Sequence, residues 1–110
     1  MKPDQISQTN AELRDKPALE IVRWAIARAK GRAIVSTNFR PYEAVVLHLC
    51  TQVQPDLPVL WVDHGYNRPA TYRHAEELKH LLKLNLKPYL PKITAAHRDA
   101  ICGPIPATED

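Results

Sequence analysis

The sequence predicts an α/β fold built on an open parallel sheet flanked by helices, with about three strands. Three short apolar stretches have the pattern of buried strands, namely Arg32–Ser36, Leu57–Asp63 and Leu86–Leu90. Their C-terminal ends follow one another at intervals of 27 residues, and helical patterns lie between them. Because a βαβ unit spans roughly 30 residues, this spacing indicates two consecutive parallel crossovers.

Prolines and glycines indicate where the helices begin and end. We expect a first helix with Pro17 in its opening turn and its end at Gly31, and a second that opens near Pro41. A third opens at Pro69, and residues 94–100 form two further turns. Since parallel sheets usually have both faces covered, either the N-terminal helix covers one face or something absent from this chain does.

The apolar positions predict part of the core. On the first helix, Ile21, Trp24 and Ala29 fall broadly on one face, which should turn inward. Trp61 in the second strand is expected in the core. His48 lies between apolar neighbours on a helix, so it is interpreted as a packed histidine and not as a ligand.

Composition and charge fit one domain. The chain has 110 residues, of which 45% are apolar and 25% charged, so we expect residues 1–110 to form a single domain with residues 1–16 as an N-terminal extension. The net charge is +3. The excess basic side chains lie in the first half, at Arg23, Arg28, Lys30, Arg32 and Arg40. This distribution favours a phosphorylated small molecule and is too sparse for a nucleic-acid groove.

Cysteine usage and hydropathy predict a cytoplasmic protein with reduced thiols. Cys50 and Cys102 are two isolated cysteines, so neither a disulfide framework nor a four-ligand zinc site is expected. The histidines show no metal-ligand spacing, and no metal site is predicted. The first ten residues form no signal peptide, and the apolar run Ala44–Leu49 is far shorter than the roughly 20 residues of a membrane helix.

The segment after the first strand is one candidate ligand site. In open parallel sheets, ligands bind beyond the carboxyl ends of the strands, where free backbone N–H groups and the helix dipole favour phosphate. Ser36, Thr37 and Asn38 add hydroxyl and amide groups, and Arg40 adds a guanidinium for an oxyanion. The same residue types are common helix caps, which leaves plain capping as the favoured alternative. The glycines of a Walker loop are missing.

The segment after the second strand is the other candidate. Asp63 ends an apolar strand, where a carboxylate is costly without a partner, and His64 follows it. Gly65 permits a positive φ or a close approach of the backbone to a ligand. Tyr66 offers a stacking face and Arg68 a cation. Two interpretations are equally supported: a ligand-binding loop, or a turn in which Asp63 caps backbone donors.

Several spaced elements together resemble the phosphoadenosine phosphosulfate (PAPS) reductase family. That family has an adenine nucleotide alpha-hydrolase-like, Rossmann-like fold related to the PP-loop ATP pyrophosphatases. The resembling stretches are Ser36–Asn38 with Phe39, AVVLHL at 44–49, DHGYNRPATYRHAEEL at 63–78 and LKLNLKPYLP at 82–91. They span about residues 30–105, which makes this chain similar to the N-terminal part of the family domain.

The resemblance implies an adenylyl sulfate substrate, either PAPS or its relative without the 3′-phosphate (APS). It implies that the first loop holds phosphate or sulfate oxygens and that the second borders the nucleotide. The substrate-binding candidates are Ser36, Thr37, Asn38, Arg40, Asp63, His64, Gly65 and Tyr66. Family members reduce the activated sulfate to sulfite through a thiosulfonate on a cysteine, which thioredoxin or glutaredoxin later resolves.

Two departures from the family pattern stand out. Arg40-Pro41 replaces the glycine that many members have after the phenylalanine, which should stiffen the phosphate loop. The nucleophilic cysteine of the family lies beyond the last residue of this sequence, and neither Cys50 nor Cys102 matches it. We therefore predict no catalytic residue in these 110 residues. In the family's sheet order, 3-2-1-4-5, this chain supplies one wall of the cleft.

Two functions remain open. The first is the nucleotide-binding part of a PAPS or APS reductase of sulfate assimilation, inactive by itself. The alternative is a non-enzymatic adenine-nucleotide-binding or interaction module. A PP-loop pyrophosphatase is disfavoured, because the Ser-Gly-Gly-x-Asp-Ser loop is missing.

Partners follow from the same resemblance. We expect an adenylyl sulfate nucleotide and a thioredoxin-like donor, with neither nucleic acid nor membrane. No cofactor is expected on this chain, and any iron–sulfur cluster would need cysteines from elsewhere. A sheet that ends at its first strand leaves an unpaired edge, so the isolated chain should form a homodimer or be poorly stable.

Overall fold

The computed structural model describes residues 1–106 and shows an α/β arrangement in that part of the chain. Its helices are α1 (Pro3–Leu13), α2 (Ala18–Arg28), α3 (Glu43–Val53), α4 (Pro69–Leu82) and α5 (Ala95–Cys102). Its strands are β1 (Val35–Ser36), β2 (Pro58–Val62) and β3 (Asn85–Tyr89). From α2 onward, the order of helices and strands agrees with the sequence prediction.

The three strands form one parallel sheet in the order β1-β2-β3, which confirms the predicted fold class. Strand β1 is shorter than predicted, because only Val35 and Ser36 pair with β2, opposite Val59 and Leu60. Strand β3 lies at the other edge, and Pro88 is tolerated there because an edge strand does not need every backbone N–H.

Helices α3 and α4 cover one face of the sheet. Each connects two neighbouring parallel strands, and right-handed crossovers that advance in the same direction place their helices on the same face. The buried cluster between the covered face and these helices consists of Phe39, Leu47, Val59, Trp61, Ala75, Leu78 and Leu84. This cluster is the core on which the loops at the strand ends rest.

The opposite face of the sheet is open in the described part of the chain. Ile34, Leu60, Val62 and Tyr89 line a shallow apolar groove of about 410 Å³ on this side. Ile34 and Val62 are each 62% exposed. Helix α2 packs against α3 and not on this face. The prediction that the N-terminal helix covers the second face of the sheet, which was one of two alternatives, is therefore wrong.

Helix α2 presents a different face from the predicted one. Ile21 and Trp24, expected inside, are 37% and 38% exposed. The partly buried positions of the helix are Leu19, Val22 and Ile26, and Ala29, which follows the helix, is partly buried as predicted. The charged residues Glu20, Arg23 and Arg28 lie on one side of α2, and Val22 and Ile26 lie on the other, so the sequence indicates the observed face and the prediction is centred too close to the charged side.

The two other core predictions have opposite outcomes. Trp61 is buried, as predicted, with 8% of its surface exposed. His48 is exposed, and its ring lies 3.0 Å from the side-chain amide of Gln52 one turn along α3, so the core interpretation is wrong. Leu47 and Cys50 carry the buried face of α3, and His48 falls about 100° away from Leu47.

The segment 1–16, interpreted above as an extension, contains helix α1, which the sequence analysis does not predict. Pro3 occupies its first turn, and the Lys2 backbone N–H donates to Gln5 Oε1 at 2.9 Å. No residue of α1 is buried. The helix therefore adds nothing to the core, and the sheet is formed without it.

Candidate functional site

The loops that follow β1 and β2 face each other across an open cleft. The cleft has a volume of about 690 Å³ and lies at the carboxyl ends of both strands, where open parallel sheets bind ligands. Its lining residues are Asn38, Phe39, Arg40, Pro41, Trp61, Val62, His64, Tyr66, Asn67, Arg68 and Thr71. Both predicted ligand segments thus contribute to one cavity.

The predicted site residues divide into three groups. Asn38, Arg40, His64 and Tyr66 line the cleft. An adjoining recess of about 250 Å³ is lined by Ser36, Thr37 and Asn38, among others, so that Asn38 belongs to both cavities. Asp63 and Gly65 line neither cavity, and they act on the shape of the second loop.

The side chains of Thr37 and Phe39, both buried, fix the conformation of the loop after β1. Thr37 is buried, and its Oγ1 accepts the Phe39 backbone N–H at 2.9 Å. Phe39 has a φ of 57°, a left-handed conformation that is unfavourable for a bulky residue. Its ring is 2% exposed and packs edge-on against Trp61, with 4.9 Å between the ring centroids. Core packing therefore maintains the strained backbone that shapes the cleft floor.

Glu43 occupies the backbone donors of this loop. Its Oε1 accepts the Asn38 N–H at 3.3 Å and its Oε2 accepts the Arg40 N–H at 2.8 Å. A carboxylate at the start of α3 also interacts favourably with the helix dipole. The residue at the N-cap of α3 is Tyr42, and it makes no side-chain capping bond, so Ser36, Thr37 and Asn38 do not cap this helix as the alternative predicted. A ligand anion would rely on the Asn38 and Arg40 side chains or would displace Glu43.

Arg40 supplies an exposed cation at the rim of the cleft. Its Nη1 donates to the Tyr42 hydroxyl oxygen at 3.1 Å. This hydrogen bond is the main reason that the pKa of Arg40 lies above its ordinary value, so the guanidinium stays charged. Among residues 1–106, no other hydrogen bond of this guanidinium is found, so its remaining donors can serve an oxyanion.

Asp63 organises the loop after β2. It is 8% exposed, and its Oδ1 accepts three hydrogen bonds, from the Gly65 N–H (2.9 Å), Asn67 Nδ2 (3.1 Å) and the Tyr72 hydroxyl (2.8 Å). These bonds are the partners that a carboxylate at the end of an apolar strand requires. Of the two interpretations of this loop, the capping turn describes Asp63 itself.

Gly65 and its neighbours turn the loop toward the cleft. Gly65 has a φ of +88°, which favours glycine. The Tyr66 N–H donates to His64 Nδ1 at 3.0 Å, which requires the neutral imidazole to carry its proton on Nε2. The two rings lie nearly parallel, with centroids 6.2 Å apart. Together they present a largely aromatic wall to the cleft.

Three polar lining residues are missing from the predicted set of site residues. Asn67, Arg68 and Thr71 extend the wall of the second loop to the first turn of α4. Arg68 is the cation that the sequence offers in the second candidate segment, and Thr71 belongs to the Tyr-x-x-Pro-x-Thr-Tyr motif. The sequence therefore indicates that both residues belong to the site. Nothing local marked Asn67, whose amide is tied to Asp63.

Neither cysteine lines the cleft. Cys50 is buried on α3, and desolvation raises the pKa of its thiol, which opposes formation of a thiolate. Cys102 is exposed at the end of α5. Within residues 1–106, no group of three or more His, Cys, Asp or Glu side chains is placed to hold a metal ion. Over the same residues, none of the helices is both long and apolar enough to cross a membrane.

These features define an open parallel α/β protein with a polar cleft at the carboxyl ends of its strands. More particularly, a model of the phosphoadenosine phosphosulfate reductase domain matches residues 32–105, and the chain belongs to this family.

Curated relatives and a solved structure agree with this assignment. The chain is 46% identical over 98 residues to phosphoadenosine 5′-phosphosulfate reductase of Synechococcus sp., covering 89% of this chain and 42% of the relative. The reductase of Alkalilimnicola ehrlichii is 41% identical over 103 residues, covering 94% and 42%. A crystal structure of PAPS reductase from Candida auris in a phosphate complex shares the fold, with a TM-score of 0.82 at 19% identity, over 94% of this chain and 51% of that one. The chain thus spans less than half the length of the curated relatives.

Proposed function

We propose that this chain provides the nucleotide-binding part of a PAPS reductase-type protein of sulfate assimilation and binds an adenylyl sulfate in the cleft. The observation that carries the proposal is the shared cavity of about 690 Å³, in which Asn38, Arg40 and Arg68 meet the aromatic wall of His64 and Tyr66. Guanidinium and amide donors suit phosphate and sulfate oxygens, and aromatic rings suit a base. The solved reductase of Candida auris, which shares this fold, is a phosphate complex, and this supports the proposal that the chain binds an anionic ligand.

The proposed roles follow the geometry. Asn38 and Arg40 hold phosphate or sulfate oxygens, with Ser36 and Thr37 lining the adjoining recess. His64 and Tyr66 border the nucleotide, while Asp63 and Gly65 keep their loop in shape. A choice between PAPS and APS would depend on whether one of the two arginines reaches a 3′-phosphate.

The reductive step belongs, in this proposal, to complete members of the family. There a cysteine thiolate attacks the sulfate sulfur, the sulfur–oxygen bond to the nucleotide breaks, and adenosine 3′,5′-bisphosphate (from PAPS) leaves with the bonding electrons. A thioredoxin or glutaredoxin thiol then attacks the cysteine sulfur and releases sulfite. We propose a thioredoxin-like donor and a cytoplasmic location on the same family grounds.

The positions of the cysteines fit both this proposal and the alternative of a non-enzymatic nucleotide-binding module, because neither expects this chain alone to reduce the substrate. Cys50 is buried with a raised pKa, and Cys102 lies outside the cleft. The 110-residue chain mixed with PAPS and reduced thioredoxin should therefore release no sulfite, which a sulfite assay checks. Sulfite release would show that a residue of this chain acts as the nucleophile.

Isothermal titration of the chain with adenosine 3′,5′-bisphosphate and ATP tests the binding site. We expect the bisphosphate to bind more tightly than ATP. Arg40→Ala should weaken its binding by about tenfold or more, and Ser36→Ala and Asn38→Ala by about threefold to tenfold, because each removes a donor to the anion.

Arg23→Ala is the matched control, since Arg23 is an exposed arginine of α2 outside the cleft. It should bind as the unmodified chain does. Equal affinity of the Ser36→Ala/Asn38→Ala variant and the unmodified chain would remove the first loop from the site.

A further inference from the structure

Helix α5 is joined to the cleft through Tyr66. The Tyr66 hydroxyl lies 2.7 Å from Asp99 Oδ1 and 3.1 Å from the Ala95 carbonyl oxygen, and both of these residues belong to α5. A phenol has a single proton to donate, and the shorter contact with a carboxylate is the stronger bond. Asp99 is thus the principal partner of Tyr66.

Two further contacts restrain the same ring and loop. The guanidinium carbon of Arg98 lies 5.7 Å from the centroid of the Tyr66 ring, and Arg98 Nη1 lies 3.7 Å from Asp99 Oδ1. A Cβ at Gly65 would lie 3.5 Å from the Ala95 Cβ, so the first turn of α5 lies against the loop backbone. Helix α5 therefore contacts Tyr66 at its hydroxyl and on the face of its ring, and it also lies against the backbone of the preceding residue.

These contacts are important for the position of α5, because this helix is not held in place by the hydrophobic core. None of its residues is buried, so it does not take part in the core cluster. Tyr66 is half-buried, and its ring lines the cleft while its hydroxyl faces α5. One side chain therefore serves both the cavity wall and the attachment of the helix.

We propose that Asp99 is a positioning residue for the ligand site: it holds the Tyr66 ring as a wall of the cleft and thereby couples the docking of α5 to ligand binding. Asp99 does not line the cleft, so it acts only through Tyr66. The part of this inference that concerns a ligand rests on the proposed function, whereas the attachment of α5 does not.

The ligand-free chain provides the first test, by hydrogen–deuterium exchange. Asp99→Ala and Tyr66→Phe should each speed exchange in residues 64–67 and in α5, while exchange in β2 stays unchanged. Asp99→Asn keeps an acceptor of similar shape and should restore most of the protection. Glu77→Ala, at an exposed position of α4, is the control. Unchanged exchange in Asp99→Ala would overturn the proposed attachment.

The second test is a double-mutant cycle on the affinity for adenosine 3′,5′-bisphosphate. Asp99→Ala and Tyr66→Phe should each weaken binding by about fivefold, and the double variant should be no weaker than either, because both remove one interaction. Losses that multiply in the double variant, or unchanged affinity in Asp99→Ala, would overturn the positioning role. If the unmodified chain binds no bisphosphate, the proposed function and the coupling to ligand both fail, and the exchange experiment alone decides the attachment of α5.

Discussion

Asp63 shows how a single buried carboxylate organises the loop after β2. One of its oxygens accepts hydrogen bonds from a backbone N–H, an amide and a phenol, and all three donors lie within nine residues along the chain. A buried charge without such partners would be strongly unfavourable, so the loop folds around the oxygen. The carboxylate thereby acts on the cleft without lining it.

Replacing Tyr72 by phenylalanine tests this arrangement and its pH dependence. Burial, together with the hydrogen bond to Asp63, raises the pKa of Tyr72 above its ordinary value near 10. The protonated phenol therefore stabilises the fold below about pH 10, and that contribution is lost as the pH rises through the folded-state pKa. Tyr72→Phe should lower the free energy of unfolding by about 1–2 kcal/mol at pH 7 and make its decline above pH 10 less steep.

Urea unfolding between pH 7 and pH 11 measures both effects. Tyr89→Phe, at an exposed tyrosine of β3, is the control and should leave the free energy of unfolding unchanged. Equal stability of Tyr72→Phe and the unmodified chain at pH 7 would contradict the structural role of the bond to Asp63.

At the level of the secondary-structure elements, helix ends carry strain that the sequence pattern does not reveal. Helix α4 ends at Lys83, whose φ of 52° and ψ of 51° lie in the left-handed region. After α2 the chain enters the same region two residues beyond the helix, where Lys30 has a φ of 52° and Gly31 a φ of +82°. The Lys83 backbone N–H bonds to the Lys79 carbonyl oxygen and closes the helix despite the unfavourable dihedral angles.

Lys83→Gly should therefore stabilise the protein. Glycine adopts this conformation without the steric cost of a Cβ, so we expect the free energy of unfolding to rise by about 0.5–1 kcal/mol. Arg73→Gly, the same change at an exposed position inside α4, should lower it by about 1 kcal/mol. Thermal and denaturant unfolding compare the two variants, and a destabilised Lys83→Gly would show that the lysine side chain outweighs the strain.

At the scale of the whole molecule, the two faces of the sheet differ in how far they are covered by helices. One face rests on α3 and α4, whereas the other exposes Ile34, Val62 and Tyr89, and no strand within residues 1–106 pairs with the outer edge of β1. Isolated apolar edges and faces of this kind favour association between chains. The homodimer or low stability predicted from the sequence remains a prediction for this open side.

We expect sedimentation velocity of the 110-residue chain to show association that grows with concentration. Ile34→Lys combined with Tyr89→Lys places two charges on the open face, outside the ligand cleft, and should shift the chain toward monomer. Ile21→Lys, a similar charge on the exposed side of α2, is the control. A monomer at every concentration with a high melting temperature would contradict the association.

The sequence by itself determined the parallel α/β class, the positions of the two loops that line the cleft, and the family. Strand spacing and short, ordered motifs such as Tyr66…Pro69…Thr71 are local properties, so they can be read along the chain. The tertiary structure alone decided that His48 is exposed and that Glu43 occupies the loop N–H groups. It also brought Asp99 to Tyr66 across 33 residues. Such contacts depend on how the elements pack in three dimensions, and no local pattern encodes them.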